Sequence, residues 1–243
     1  MLEGDPLIMA TVGEDAQPYL DRLAQLGLDA GHVRRIEQTY TAQAFITTDL
    51  DDNQITAFHP GAMNSSHLNS VADAAAIGLG IVAPDGRDGM MQHAREFAAA
   101  GIDFVFDPGQ GLPMFDGAEL LAFIDQAGYV TVNDYEAQML QSRTGQSMEA
   151  LAQRVRALIV TRGAEGSIVH AGGRRIEIPS VKPQAVVDPT GCGDAYRAGL
   201  LYGIARGMDW EVTGRLASLI GGIKISCGGG QNHRFHRGEI ESG

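Results

Sequence analysis

Val186-Val187-Asp188-Pro189-Thr190-Gly191-Cys192-Gly193-Asp194-Ala195-Tyr196-Arg197-Ala198-Gly199-Leu200 carries the densest turn and helix-start chemistry of the chain. Asp188-Pro189-Thr190-Gly191 is β-turn sequence, with proline in the second place and glycine in the fourth. Gly191 and Gly193 then lead into a helix predicted over 195–206. Unhindered backbone N–H groups at a helix N-terminus form an anion site, reinforced by the positive end of the dipole. Asp194 falls in the first helical turn, beside those amides. A carboxylate there can take a proton from an alcohol while the amides hold a phosphoryl group. Spacing alone leaves a plainer alternative open, because glycine-rich turns begin many helices and a first-turn acid is ordinary dipole compensation.

Upstream of this segment, strand and helix signals alternate. Leu7–Val12 is a short apolar run ended by Gly13, and 16–26 repeats leucine on one face before Gly27, a strand and then a helix with a glycine stop. Residues 41–48 and 54–59 flank the turn-rich patch Asp49–Asn53 and predict an antiparallel hairpin. The series then becomes regular: strands are predicted at 77–83, 104–106, 129–132 and 158–160, with helices at 90–100, 119–127, 135–140 and 148–155. A second hairpin, 167–170 with 174–178, precedes the closing helices 195–206 and 210–226. Such alternation predicts a mainly parallel sheet covered on both faces.

The run Asp188–Tyr196 resembles the second signature of the ribokinase-like (PfkB) carbohydrate kinases, D-[TP]-T-G-A-G-D-[AT]-F, with Cys192 in place of the usual alanine. The resemblance implies a three-layer α/β/α sandwich over residues 1–243, a single domain with a partial β lid at about 33–60. It implies Asp194 as the base and Gly191, Cys192 and Gly193 as the anion hole. Asn133-Asp134-Tyr135-Glu136 is similar to the family's N-x-x-E motif, in which Glu136 would order Mg²⁺ through water. Asn at the N-cap with Glu at N3 is equally a capping box, and the two readings are compatible. Thr161, Gly163 and Gly166 match the T-x-G-x-x-G segment near the nucleotide, and a monovalent cation such as K⁺ is expected at Asp188. Gly229-Gly230-Gln231-Asn232-His233 is similar to an ending of adenosine-kinase-like members and adds Asn232 to the nucleotide site. Phe106-Asp107-Pro108-Gly109-Gln110 parallels a D-P-N-x-R segment without its Asn and Arg, which argues against a fructokinase-like acceptor.

The implied reaction is Mg²⁺-dependent transfer of the ATP γ-phosphate to a primary hydroxyl of a nucleoside, adenosine favoured, or of a sugar. Family members carry several dozen residues before the counterpart of Leu7, including a Gly-Gly-x-x-x-Asn substrate motif that is not matched here. The expectation is therefore an N-terminally incomplete kinase with weak or no activity. Its rival is a nucleotide-binding, non-catalytic remnant acting as a regulatory module.

Composition narrows the partners. Thirty acids against eighteen bases give a net charge of −12, and only Lys182 and Lys224 are lysines, so nucleic acid is not an expected partner. The longest apolar run, 74–83, is about half a membrane span, so no membrane is expected either. Two cysteines without metal-site spacing, and an N-terminus lacking a positive region, point to the cytoplasm. Edge strands in the lid offer contacts for a homodimer. Other motifs fail. Gly78-Leu79-Gly80-Ile81-Val82-Ala83 meets Pro84 rather than opening a helix, and neither lysine follows a glycine as a P-loop requires. His233 and His236 lack a third metal ligand.

Overall fold

The computed structural model describes residues 2, 4–48, 54–236 and 238. Two compact units emerge: 5–77 with 82–101, and 1–4 with 78–81 and 102–243. In chain order the first elements are β1 (Ala10–Val12), α1 (Gln17–Gln25), β2 (Val33–Arg35), β3 (Gln43–Thr48), β4 (Gln54–His59) and β5 (Gly80–Val82). They are followed by α2 (Arg87–Ala99), β6 (Phe104–Phe106), α3 (Gly117–Gln126), β7 (Tyr129–Asn133), α4 (Asp134–Thr144) and α5 (Met148–Ala152). The series closes with β8 (Ala157–Thr161), β9 (Ser167–Ala171), β10 (Arg174–Ile178), α6 (Cys192–Ala205) and α7 (Trp210–Ile225).

In the first unit β1 pairs in parallel with β2, Ala10 opposite Val33 and Val12 opposite Arg35, and α1 forms the crossover. The helix ends as its sequence requires: Gly27 adopts a φ of 70°, and Leu28 N donates to the Leu23 carbonyl at 3.0 Å. Of its leucine stripe only Leu23 is buried, and Leu26 is exposed. The hairpin β3–β4 runs in register from Gln43 opposite His59 to Thr48 opposite Gln54. Its Asp49–Asn53 turn lies outside the described residues. Short 3₁₀ turns over Gly61–Leu68 and Val71–Asp73, like β2, were not predicted, because none carries enough apolar periodicity to stand out. Long-range side-chain bonds fasten the first of these turns to β1: Thr11 Oγ1 donates to Ala62 O at 2.7 Å, and Asn69 Nδ2 donates to Ala10 O at 2.9 Å.

The second unit holds the main sheet, in the order β10-β9-β8-β7-β6-β5. β6, β7 and β8 are mutually parallel, while β9 and β10 return antiparallel as the predicted hairpin. Phe104, Val105 and Phe106 are all fully buried, as are Ala157, Leu158 and Ile159, so successive residues are covered on both sheet faces. One face buries Ile159, Val169 and Ile178 against Tyr196, Leu200 and Ala217 of α6 and α7. Small residues bring these elements together. A Cβ at Gly199 would stand 2.6 Å from the Ala217 Cα, and one at Gly214 would stand 2.6 Å from Ile178. Elsewhere in this unit Phe123 stacks on Phe106 at 4.5 Å and meets Phe115 edge-on at 4.9 Å. Among the described residues no helix is long and apolar enough to cross a membrane.

Candidate active site

Parallel strands present ligand sites at their carboxyl ends. Here β6 ends at Phe106 and runs into Asp107, β7 ends at Asn133, and β8 ends at Thr161 directly beside Asn133. Asn133 caps α4 with a full capping box: its Oδ1 accepts from Glu136 N at 2.7 Å, and its own amide donates to Glu136 Oε2 at 2.8 Å. Glu136 is thereby buried and fixed in direction.

Past Thr161, Arg162 N donates to Gly166 O at 2.8 Å. Gly166 is obligatory there twice over, with a φ of 85° and a Cβ position 2.1 Å from Ile178 O, whereas Gly163 at φ 55° faces open space. Ser167, opposite Thr161 across the β8–β9 pair, shares a 2.7 Å hydrogen bond with the buried Tyr196 hydroxyl, joining this strand end to α6.

The segment before α6 turns as its sequence implies. Gly191 is the N-cap, with a φ of 81°, and a Cβ there would lie 2.9 Å from Gly230 O. Asp194 stands in the first turn and is exposed. The first amides of a helix have no intrahelical acceptor, and those of Gly191 and Gly193 are among them. The Cys192 amide differs from its neighbours, for it closes a turn onto Pro189 O at 3.1 Å. An anion would share that donor. Burial raises the pKa of the Cys192 thiol, so it is not a poised nucleophile.

One flank of this helix start was not legible in the sequence. Arg197, one turn beyond Asp194, pairs with Asp107 through Nε and, at 2.8 Å, through Nη2. Its guanidinium lies over Gly193, where a Cβ would come within 2.6 Å of Nη1. Burial pushes the Asp107 carboxyl up to about 6 against the pull of Arg197, and the charges of Glu136 and Asp194 add to the rise. Three carboxylates thus share one region with a single guanidinium. Among the described residues no three such side chains are grouped to ligate a metal ion directly, and one Glu136 oxygen is already bound to Asn133 N.

The opposite flank overturns the expected potassium site. Asp188 Oδ1 accepts from Thr190 N at 2.9 Å, Oδ2 from Gly229 N at 2.7 Å, and its carbonyl oxygen from Lys224 Nζ at 3.0 Å. The Thr190 amide and hydroxyl, then the Gly229 amide, hold the carboxyl down to about 2. The Lys224 ammonium already occupies the cation position at the Asp188 carbonyl, so the residues do not fit K⁺ beside it. The Gly229 contact also brings the glycine-rich tail to the helix start, with the exposed Asn232 Nδ2 donating to Gly228 O at 3.0 Å.

The sequence as a whole matches a known family. The pattern of the pfkB family of carbohydrate kinases matches residues 3–235. The chain belongs to that family. It is a phosphotransferase with an alcohol acceptor, on the ribokinase-like α/β fold. The nucleoside kinase of Methanocaldococcus jannaschii is 31% identical over 235 residues, 93% of this chain and 75% of that one. A structure of Burkholderia thailandensis nucleoside kinase in complex with inosine superposes with a TM-score of 0.95 at 55% identity, over 99% of this chain and 79% of that one. A structure of the same enzyme in complex with ADP-inosine gives a TM-score of 0.94 at 55% identity, over 99% and 76%.

Proposed function

We propose that the chain transfers the γ-phosphate of ATP to the 5′-hydroxyl of a nucleoside. The observation that carries this reading is the 55% identity and 0.95 TM-score to an enzyme holding inosine. Adenosine, favoured by the Gly229–His233 ending, and inosine present the same ribose and the same primary alcohol, so both belong to the proposed set.

In this reading Asp194, exposed at the helix start, accepts the hydroxyl proton as the oxygen attacks. The Gly191 and Gly193 amides hold the charge that develops on the transferred group, and the Cys192 amide shares its Pro189 bond with it. Arg197, anchored by Asp107, keeps its guanidinium against Gly193. Thr161, Gly163, Gly166 and Asn232 border the nucleotide. Asn133 and Glu136 would hold Mg²⁺ through water, and the ion would neutralise phosphate charge there. Free Cys192 and Cys227 suit a reducing, ATP-rich cytoplasm. A second copy of the chain is the proposed cover for the β3–β4 hairpin, where Phe45 and Ile55 stand exposed on one face, Ile46 and Phe58 on the other.

The test is ADP release with adenosine, inosine, ribose and fructose, with and without Mg²⁺. The reading expects nucleosides to exceed both sugars by at least about tenfold in kcat/KM, only when Mg²⁺ is present. Preference for a free sugar would overturn the acceptor, and nucleotide binding without turnover would overturn catalysis.

A further inference from the structure

Lys224 is one of two lysines in the chain, and it is fully buried in the last turn of α7. An ammonium out of water is costly unless hydrogen bonds replace its hydration. Its acceptors are two main-chain carbonyls from different segments, Asp188 O and Cys227 O, each 3.0 Å from Nζ. A cation held by carbonyl oxygens is the chemistry of a monovalent ion site, built with a covalently tethered ion. The two carbonyls also have a purpose in common. Asp188 opens the turn into α6, and Cys227 opens the glycine-rich tail whose Gly229 amide is bound by the Asp188 carboxylate. The Asp188 amide in turn donates to Ile225 O at 3.2 Å. Lys224 therefore binds from below the two strips of backbone that meet at Gly191 and Gly230.

We propose that Lys224 is a built-in monovalent cation that positions the Asp188–Gly193 turn, so that phosphoryl transfer by this chain requires no potassium. The inference rests on the kinase reading for its rate measurements, but not for its melting measurements. Lys224 is a positioning residue. It acts on the anion site through Asp188.

The experiment compares the wild type with Lys224→Ala and the apolar, similarly long Lys224→Met, in KCl, NH₄Cl or choline chloride at equal ionic strength. Without nucleotide, potassium should leave the wild-type melting temperature where choline leaves it, and should raise that of Lys224→Ala. Wild-type turnover should agree in KCl and choline within about twofold. In choline, Lys224→Ala should lose at least about tenfold in kcat with a smaller change in the KM for ATP, and potassium or ammonium should restore much of it. Lys224→Met fills the cavity and should be rescued less. Potassium activation or potassium-dependent melting of the wild type would overturn the proposal. So would a folded Lys224→Ala variant that keeps its turnover in choline, or one that neither cation rescues. Should both variants fail to fold, the wild-type cation dependence decides alone. A wild type that turns over ATP with no alcohol in any salt marks a failure of the kinase reading, and the melting comparison still tests the cation.

Discussion

The turn into α6 and the β3–β4 hairpin are both short connections rich in polar residues, yet they are held in opposite ways. The turn is over-determined. All three oxygens of Asp188 accept hydrogen bonds, one of them from a buried ammonium, and Gly191 fits against Gly230 with no room for a side chain. The hairpin relies on its backbone ladder, and its large side chains face outward on both sides. Energy invested in fixing backbone atoms marks the place where donors must be preorganised for a developing charge. Exposed apolar area marks the place where a surface awaits cover.

The largest effect should come from the exposed carboxylate in the first turn of α6. Asp194→Asn should lower kcat by roughly 10²- to 10⁴-fold while ATP affinity changes only a few-fold. Stopped-flow turnover with titrated ATP measures both, and a variant with near-normal kcat would remove Asp194 as the base. Next is the backbone. Gly191→Ala puts a side chain at a φ of 81° and 2.9 Å from Gly230 O, so kcat should fall about 10- to 100-fold with a loss of at least about 1–2 kcal/mol in stability. Urea melts with kinetics on the same sample check this, and an unaltered protein would show that the turn is not tightly held.

The buried flank offers a pH signature. Asp107 titrates near 6 in the fold against an ordinary value of 3.8, so between those values the folded state binds more protons than the unfolded one. Its contribution therefore favours folding at the acid side, weakens as pH rises from about 4 to about 6, and is then constant, a span on the order of 3 kcal/mol. Asp107→Asn should flatten this part of the stability profile, as urea unfolding at stepped pH would reveal. An unchanged slope would mean Asp107 is ionised throughout. The hairpin should give the smallest change in stability. Phe45→Ser with Ile55→Ser should abolish self-association by light scattering while shifting the stability of the dilute protein by no more than about 0.5 kcal/mol. An unchanged oligomeric state would separate the exposed rings from any partner.

Much of the architecture was written in local pattern. The fully buried runs Phe104–Phe106 and Ala157–Ile159 are continuous and apolar, and the capping box at Asn133 is a four-residue motif. Asp194 and its glycines were legible for the same reason, since nine consecutive residues contain them. The supports of that turn were not. Lys224 meets Asp188 across 36 residues, Arg197 meets Asp107 across 90, and Tyr196 meets Ser167 across 29. Nothing in the local spacing of a lone lysine in an apolar helix announces which carbonyls it will bind. The expected potassium at Asp188 failed for that reason: the acceptors were legible in the sequence, while the donors that occupy them come from elsewhere in the chain.

If the helix-start site directs phosphate to one alcohol, phosphorus NMR of the product formed from ATP and inosine should show a single phosphomonoester on the 5′-oxygen, formed by the wild type and nearly absent with Asp194→Asn. Inorganic phosphate alone, or a 2′- or 3′-phosphate, would contradict it.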